Sequence, residues 1–162
     1  MTGADAGLGG WLADLEAAAE EVATSALSLP GMQVTARHEA PPSLHGAYLG
    51  LVGPAGAVQI GIASSPEGCQ ALAKGLMGMG AGEPDLPEAE VADAVCEIIN
   101  IVAGGFKARV RDRANPLQMG LPVFIRGAVQ STERVAVGVA EVRLGDVQAS
   151  ILLVHPRAGA EG

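Results

Sequence analysis

The chain has 162 residues, 49% of them apolar, with a formal net charge of −8. That length and composition suit a single domain around one core, and the acidic balance argues against nucleic acid, whose phosphates call for a basic surface, and against an anionic membrane. One Trp, one Tyr and two Phe leave the core to Ala, Val, Leu and Ile, with Trp11, Tyr48, Phe106 and Phe124 as the only large rings.

The N-terminus, MTGADAGLGGWLADLE, places no basic residue ahead of an apolar run and so is not expected to be a secretory signal. No apolar stretch approaches the roughly 20 residues of a membrane span, and the expected location is the cytoplasm. Residues 1–10 are expected to be flexible, 11–155 to form the domain and 156–162 to be a flexible tail.

Residues 11–28 predict an Ala-rich helix with Leu12, Leu15, Ala19, Val22, Ala23 and Ala26 on one side, ended by Pro30 and Gly31. The next three apolar runs, MQVTARHEA, HGAYLGLVG and AVQIGIAS, are short and separated by PPS and GPAG, as antiparallel strands and turns would be. Ser65, Pro66 and Glu67 start a second helix that runs through Leu76, since Ser caps and Pro fits the first turn. Residues 78–87, GMGAGEPDLP, are a connection. They do not make a phosphate loop, because no strand precedes them and no Gly-Lys-Ser/Thr follows. Asp85 with Glu88 three residues on predicts a capping box at the start of a long third helix.

That third helix carries the informative pattern, Asp93 to Lys107, DAVCEIINIVAGGFK. At about 100° per residue, Asp93, Glu97, Asn100 and Gly104 fall within about 60° of one another. Val91, Val95, Ile98, Ile99, Val102 and Phe106 form the opposite, core-facing stripe. Gly costs about 1 kcal/mol in a helix interior, and Asn ranks poorly there. Close approach of another surface would explain both choices; an ordinary wet face is the plainer reading. Lys107, Arg109, Arg111 and Arg113 crowd the helix's C-terminal end, where cations complement the helix dipole. A docking patch for an acidic partner is the alternative role.

The last third, MGLPVFIRGAVQ, RVAVGVAEVRL and VQASILLVH, predicts three more strands, with Leu144-Gly145-Asp146-Val147 as a tight turn. The order helix, three strands, two helices, three strands suggests an internal duplication. Cys69 and Cys96 lack a Cys or His at ligand spacing and are expected to be small core residues, with no metal site. His38, His45 and His155 lie in strand-like or terminal segments without catalytic partners.

The pattern Asp93-x3-Glu97-x2-Asn100-x3-Gly104 resembles the motif of the CheC/CheX-type chemotaxis phosphatases. So do strand-like Val58 to Ala63 followed by a helix, and Gly120-Leu-Pro-Val-Phe-Ile-Arg-Gly127, which looks like the family's Leu-Pro strand. Two-site members carry a second copy on the first helix. The equivalent stretch, Asp14 to Ala18, reads DLEAA and lacks the Asn, so the chain is most similar to the one-site, CheX-like branch.

The resemblance implies an α+β, CheC-like fold. Two long helices and a shorter one would pack on a mostly antiparallel sheet of about six strands with pseudo-duplicated halves. It implies a homodimer and a phosphatase acting on the aspartyl phosphate of a response regulator, whose receiver domain brings its own Mg²⁺ and Lys. The chain itself would need no cofactor. Asn100 would position the attacking water, Glu97 would pair with the regulator's Lys, Asp93 would extend the contact and Gly104 would admit the partner's backbone. A non-catalytic module that binds or sequesters a regulator is the competing class. A flagellar switch component would need further segments, for which 162 residues leave little room.

Overall fold

The protein is described here by a computed structural model over residues 3–40, 42, 44–54, 56–114 and 116–157, with side chains described from residue 10 onward except 111–114. Its elements are α1 (Gly3–Ser25), β1 (Met32–His38), β2 (His45–Gly53), β3 (Gly56–Ser64), α2 (Pro66–Leu76), α3 (Glu88–Ala114), β4 (Gln118–Met119), β5 (Val123–Arg126), β6 (Val135–Leu144) and β7 (Val147–Pro156). Three helices thus accompany one sheet of seven strands, all paired antiparallel.

The sheet order is β1-β6-β7-β3-β2, with β4 and β5 sharing the outer edge of β2. Exchanging the unit α1-β1-β2-β3 for α3-β5-β6-β7 turns this order into its own reverse, so the topology maps onto itself about the central β3–β7 pair. There Ile62 stands opposite Ile151. The duplication expected from composition therefore shows in the topology, and α2 and the two-residue β4 are the elements without a counterpart.

Side chains alternate across the sheet, which separates two clusters. Ala47, Leu49, Leu51, Ile60, Ile62, Ala140, Val142, Ile151 and Leu153 meet the helices in the main core. Tyr48, Ala63, Val137, Val139 and Leu152 form a smaller cluster on the other face. On that face Tyr48 lies against Gly61, where a Cβ would stand 2.5 Å from the ring. Only glycine fits there.

Several expectations shift in detail. α1 begins at Gly3, so residues 3–10 are helical where a flexible segment was expected; it ends at Ser25, three residues before the predicted stop. Once Trp11, Leu12 and Leu15 are held on the core, each further residue adds one bond at little cost, which outweighs the glycines. The predicted strand spanning residues 119–130 is broken at Gly120-Leu121-Pro122, leaving β4 and β5, and the sheet has seven strands rather than about six. Pro122 cannot donate to a ladder.

The Asp85–Glu88 capping box is absent. α3 starts at Glu88, with the Val91 N–H donating to the Pro87 carbonyl, while the Asp85 carboxylate is taken by Lys74 Nζ at 2.9 Å. The Ser65 cap of α2 is present, its hydroxyl accepting from Gly68 N. The β6–β7 turn is present as well, with Gly145 at φ +63°. Of the predicted tail, residues 158–162 lie outside the described residues.

Candidate functional site on α3

α3 is fixed on three sides. Val91, Val95, Ile98, Ile99, Val102, Phe106 and Val110 are all buried, each large side chain contributing about 1.5–3 kcal/mol. Gly105 meets α1, where its Cβ position lies 3.4 Å from the Ala18 Cβ. Arg109 ties the same side by donating to Glu21 at 2.8 Å and to the Gly105 carbonyl at 3.2 Å. Toward β5, Arg126 pairs with Glu88 at 3.1 Å. The outward face can therefore be rigid without being buried.

That face holds the residues singled out from the sequence. Asp93, Glu97 and Gly104 are exposed and Asn100 is half-buried. Asn100 lies one turn from Glu97 and one turn from Gly104. Among the described residues neither the Glu97 carboxylate nor the Asn100 amide has a hydrogen-bond or ion-pair partner. Nothing lies within 4 Å of a Cβ built on Gly104. A strip of α3 about 16 Å long thus displays a carboxylate pair, a free amide and a stretch of bare backbone.

Two residues of this strip were not assigned to it from the sequence. Ile101, one turn beyond Glu97, is 38% exposed. Its place in the register, about 40° from Glu97, was the available signal. Lys107 is half-buried and lies only about 20° around the helix from Asn100. It had been grouped with the C-terminal cations by its position in the chain. The side chains of Arg111 and Arg113 lie outside the described residues.

Cys69 and the histidines lie in other surroundings. Burial pushes the Cys69 thiol up to about 11, which leaves it an inert core residue. Cys96 is half-buried, its thiol raised by burial and by the nearby Asp93 charge. His38 contacts Glu141 at 2.8 Å, His45 stands edge-on to Phe124, and His155 lies against its own strand end. Among the described residues no group of His, Cys, Asp and Glu is arranged to hold a metal ion. Nor, among the described residues, is any helix long and apolar enough to cross a membrane.

A cleft of about 920 Å³ runs around α2, lined by Lys74, Gln70, Cys69 and Phe124 among others, but it takes in none of Asp93, Glu97, Asn100 or Gly104. The open α3 strip suits a macromolecular partner that brings its own reacting group. Such a surface needs no cavity.

Comparison with known proteins identifies the family and the fold. The family profile described as chemotaxis phosphatase CheX matches residues 46–142, a span that contains the whole motif. Among solved structures, a chemotaxis protein CheX from Desulfovibrio desulfuricans superposes with a TM-score of 0.74 at 14% identity, covering 91% of this chain and 99% of that one. A CheC-like superfamily protein from Shewanella gives 0.73 at 16% identity, covering 89% and 96%. A CheX from Borrelia burgdorferi, solved as a CheX-CheY-BeF3-Mg²⁺ complex, gives 0.71 at 19% identity, covering 91% and 97%. No curated protein matches the sequence.

Proposed function

The chain belongs to the family of CheX chemotaxis phosphatases, and from that premise we propose that it hydrolyses the aspartyl phosphate of a receiver domain by means of Glu97 and Asn100. The observation that carries this reading is that, among the described residues, both polar side chains are unpartnered on one outward face of a helix rigidly held from behind.

An acyl phosphate needs a water in line with the bond to be broken. The Asn100 amide can accept a hydrogen bond from that water through its oxygen and donate one to a phosphoryl oxygen through its nitrogen. The water oxygen bonds to phosphorus, the bond from phosphorus to the carboxylate oxygen breaks, and aspartate and inorganic phosphate leave. The Mg²⁺ is the partner's and neutralises phosphoryl charge. Glu97 contributes by pairing with the partner's lysine, which fixes the docked register and so places Asn100; Asp93 extends that contact.

The proposal includes a homodimer. Val52, Val123 and Ile125 support it, as exposed apolar residues that the strand register places on the same sheet face, away from the helices, with Val123 and Ile125 near one end of β2 and Val52 near the other. A monomer in sedimentation at micromolar concentration would remove that part.

The test is phosphate release from a phosphorylated receiver. Asn100→Ala should lower the rate by about 100-fold, the loss typical of one positioned polar group at a transition state, with affinity for the receiver within about threefold of the parent and an unchanged melt. Parental rates in Asn100→Ala would refute the positioning role. Saturable binding by the parent without any acceleration would establish a sequestering module instead.

A further inference from the structure

We propose that the outer face of α3 is a docking strip polarised along its length, on which Lys107 seats an acidic side chain of the receiver domain while Glu97 seats its lysine. This rests on the phosphatase reading and adds the direction in which the partner lies on the helix.

Of the cations at the end of α3, Lys107 and Arg109 are not equivalent. Arg109 is held toward α1 by Glu21 and by the Gly105 carbonyl, so its charge is already answered. Lys107 has no hydrogen-bond or ion-pair partner among the described residues and is half-buried. Its stem can lie along the protein while the ammonium reaches water.

Lys107 also stands on the Asn100 side of the helix, about 10 Å further along the axis and about 15 Å beyond Glu97. Between them lie Gly104, open above its backbone, and exposed Ile101. The strip therefore runs from carboxylates at Asp93 and Glu97, through an amide, an aliphatic side chain and bare backbone, to an ammonium.

Charge complementarity picks the partner's chemistry. A chain with net charge −8 repels an acidic protein in general, and an uncommitted lysine beside the reacting site offsets that repulsion locally. A partner docked in the opposite direction would bring its lysine to Lys107 and its acid to Glu97, so the same two charges that attract one orientation disfavour the other.

The experiment titrates parent, Lys107→Gln, Lys107→Glu and Arg143→Glu against receiver domains of the same genome loaded with BeF3 and Mg²⁺, at about 50 mM and about 500 mM salt, and measures KM and kcat on the phosphorylated form. Arg143 is exposed on the sheet face opposite the helices and controls for net charge. Lys107→Glu should weaken binding by about tenfold at low salt and Lys107→Gln by about threefold, both differences shrinking below about twofold at high salt. KM should rise with kcat unchanged, and Arg143→Glu should behave as the parent.

A Lys107→Glu affinity within twofold of the parent overturns the polarised strip, as does an equal loss in Arg143→Glu. A fall in kcat with KM unchanged overturns it too, because Lys107 would then act on the reaction. A parent that binds no receiver removes the phosphatase reading, and the strip with it.

Discussion

α1 and α3 occupy equivalent places in the two halves of the fold, and each carries a glutamate in the stretch that the motif would occupy, yet the two side chains have opposite fates. Glu16 on α1 is 7% exposed and is gripped by both ends of the Arg37 guanidinium at 2.8 Å, tying the helix to edge strand β1. Glu97 on α3 is exposed and, among the described residues, has no hydrogen-bond or ion-pair partner. A carboxylate already answered within the chain cannot recognise another protein. Under the proposed function, Glu97 is the one of the two that remains available to a partner protein.

The largest expected effect of breaking this contrast is at Glu97. Glu97→Lys should weaken receiver binding by at least tenfold, because like charges at about 4 Å repel by a few kcal/mol at an effective dielectric near 20. Glu97→Gln should lose less, since the amide oxygen still accepts from an ammonium. Both should melt with the parent, as exposed helix positions carry under about 0.5 kcal/mol. Calorimetric titration and thermal melts decide it. Equal affinities, or a large melting shift in Glu97→Gln, would place Glu97 in the structure rather than the site.

The converse variant is Arg37→Met, which leaves the Glu16 carboxylate buried without a cation. The Arg37 guanidinium sits above its ordinary pKa, chiefly through its hydrogen bond to Glu16, so it stays charged at every working pH. Its removal should lower the melting temperature by several degrees and leave receiver affinity unchanged. Adding Glu16→Leu should recover much of the loss, since it removes the buried carboxylate that Arg37→Met leaves without its cation. A parental melt for Arg37→Met would show the pair to be idle.

Much of this contrast was legible in the sequence, and where it was not the reasons are physical. The α3 face followed from helical period alone, because Val91, Val95, Ile98, Ile99, Val102 and Phe106 all obey it and all are buried. The fate of Glu16 was hidden. Its partner Arg37 is 21 residues away, and only the return of β1 against β6 brings the two together. Asp85 failed as a cap for a related reason: Lys74, nine-tenths buried on α2, takes the carboxylate and also the Glu83 carbonyl at 2.9 Å. Pairing across elements outweighed a local motif. Ile101 and Lys107 were in plain view by register, but Ile101 was assigned to neither face and Lys107 was grouped by chain position with the cations that complement the dipole.

The smallest and sharpest test uses the neighbouring glycines of α3. A methyl group at Gly104 meets nothing within 4 Å, whereas at Gly105 it stands 3.4 Å from the Ala18 Cβ and 3.4 Å from Arg109 Nη1. Gly104→Ala should therefore keep the full helix-propensity gain of about 1 kcal/mol, raising the melting temperature by about 2–4 °C in a domain of this size. Gly105→Ala must push α1 away by a few tenths of an ångström, so its gain should be cancelled or reversed. Function should divide the other way. Gly104→Ala, although more stable, should bind the receiver a few-fold more weakly, because its methyl group holds off the approaching surface, and Gly105→Ala should bind as the parent. If Gly104→Ala is more stable and binds as well as the parent, the bare backbone has no part in docking; if both variants gain stability equally, the α1 contact is looser than 3.4 Å implies.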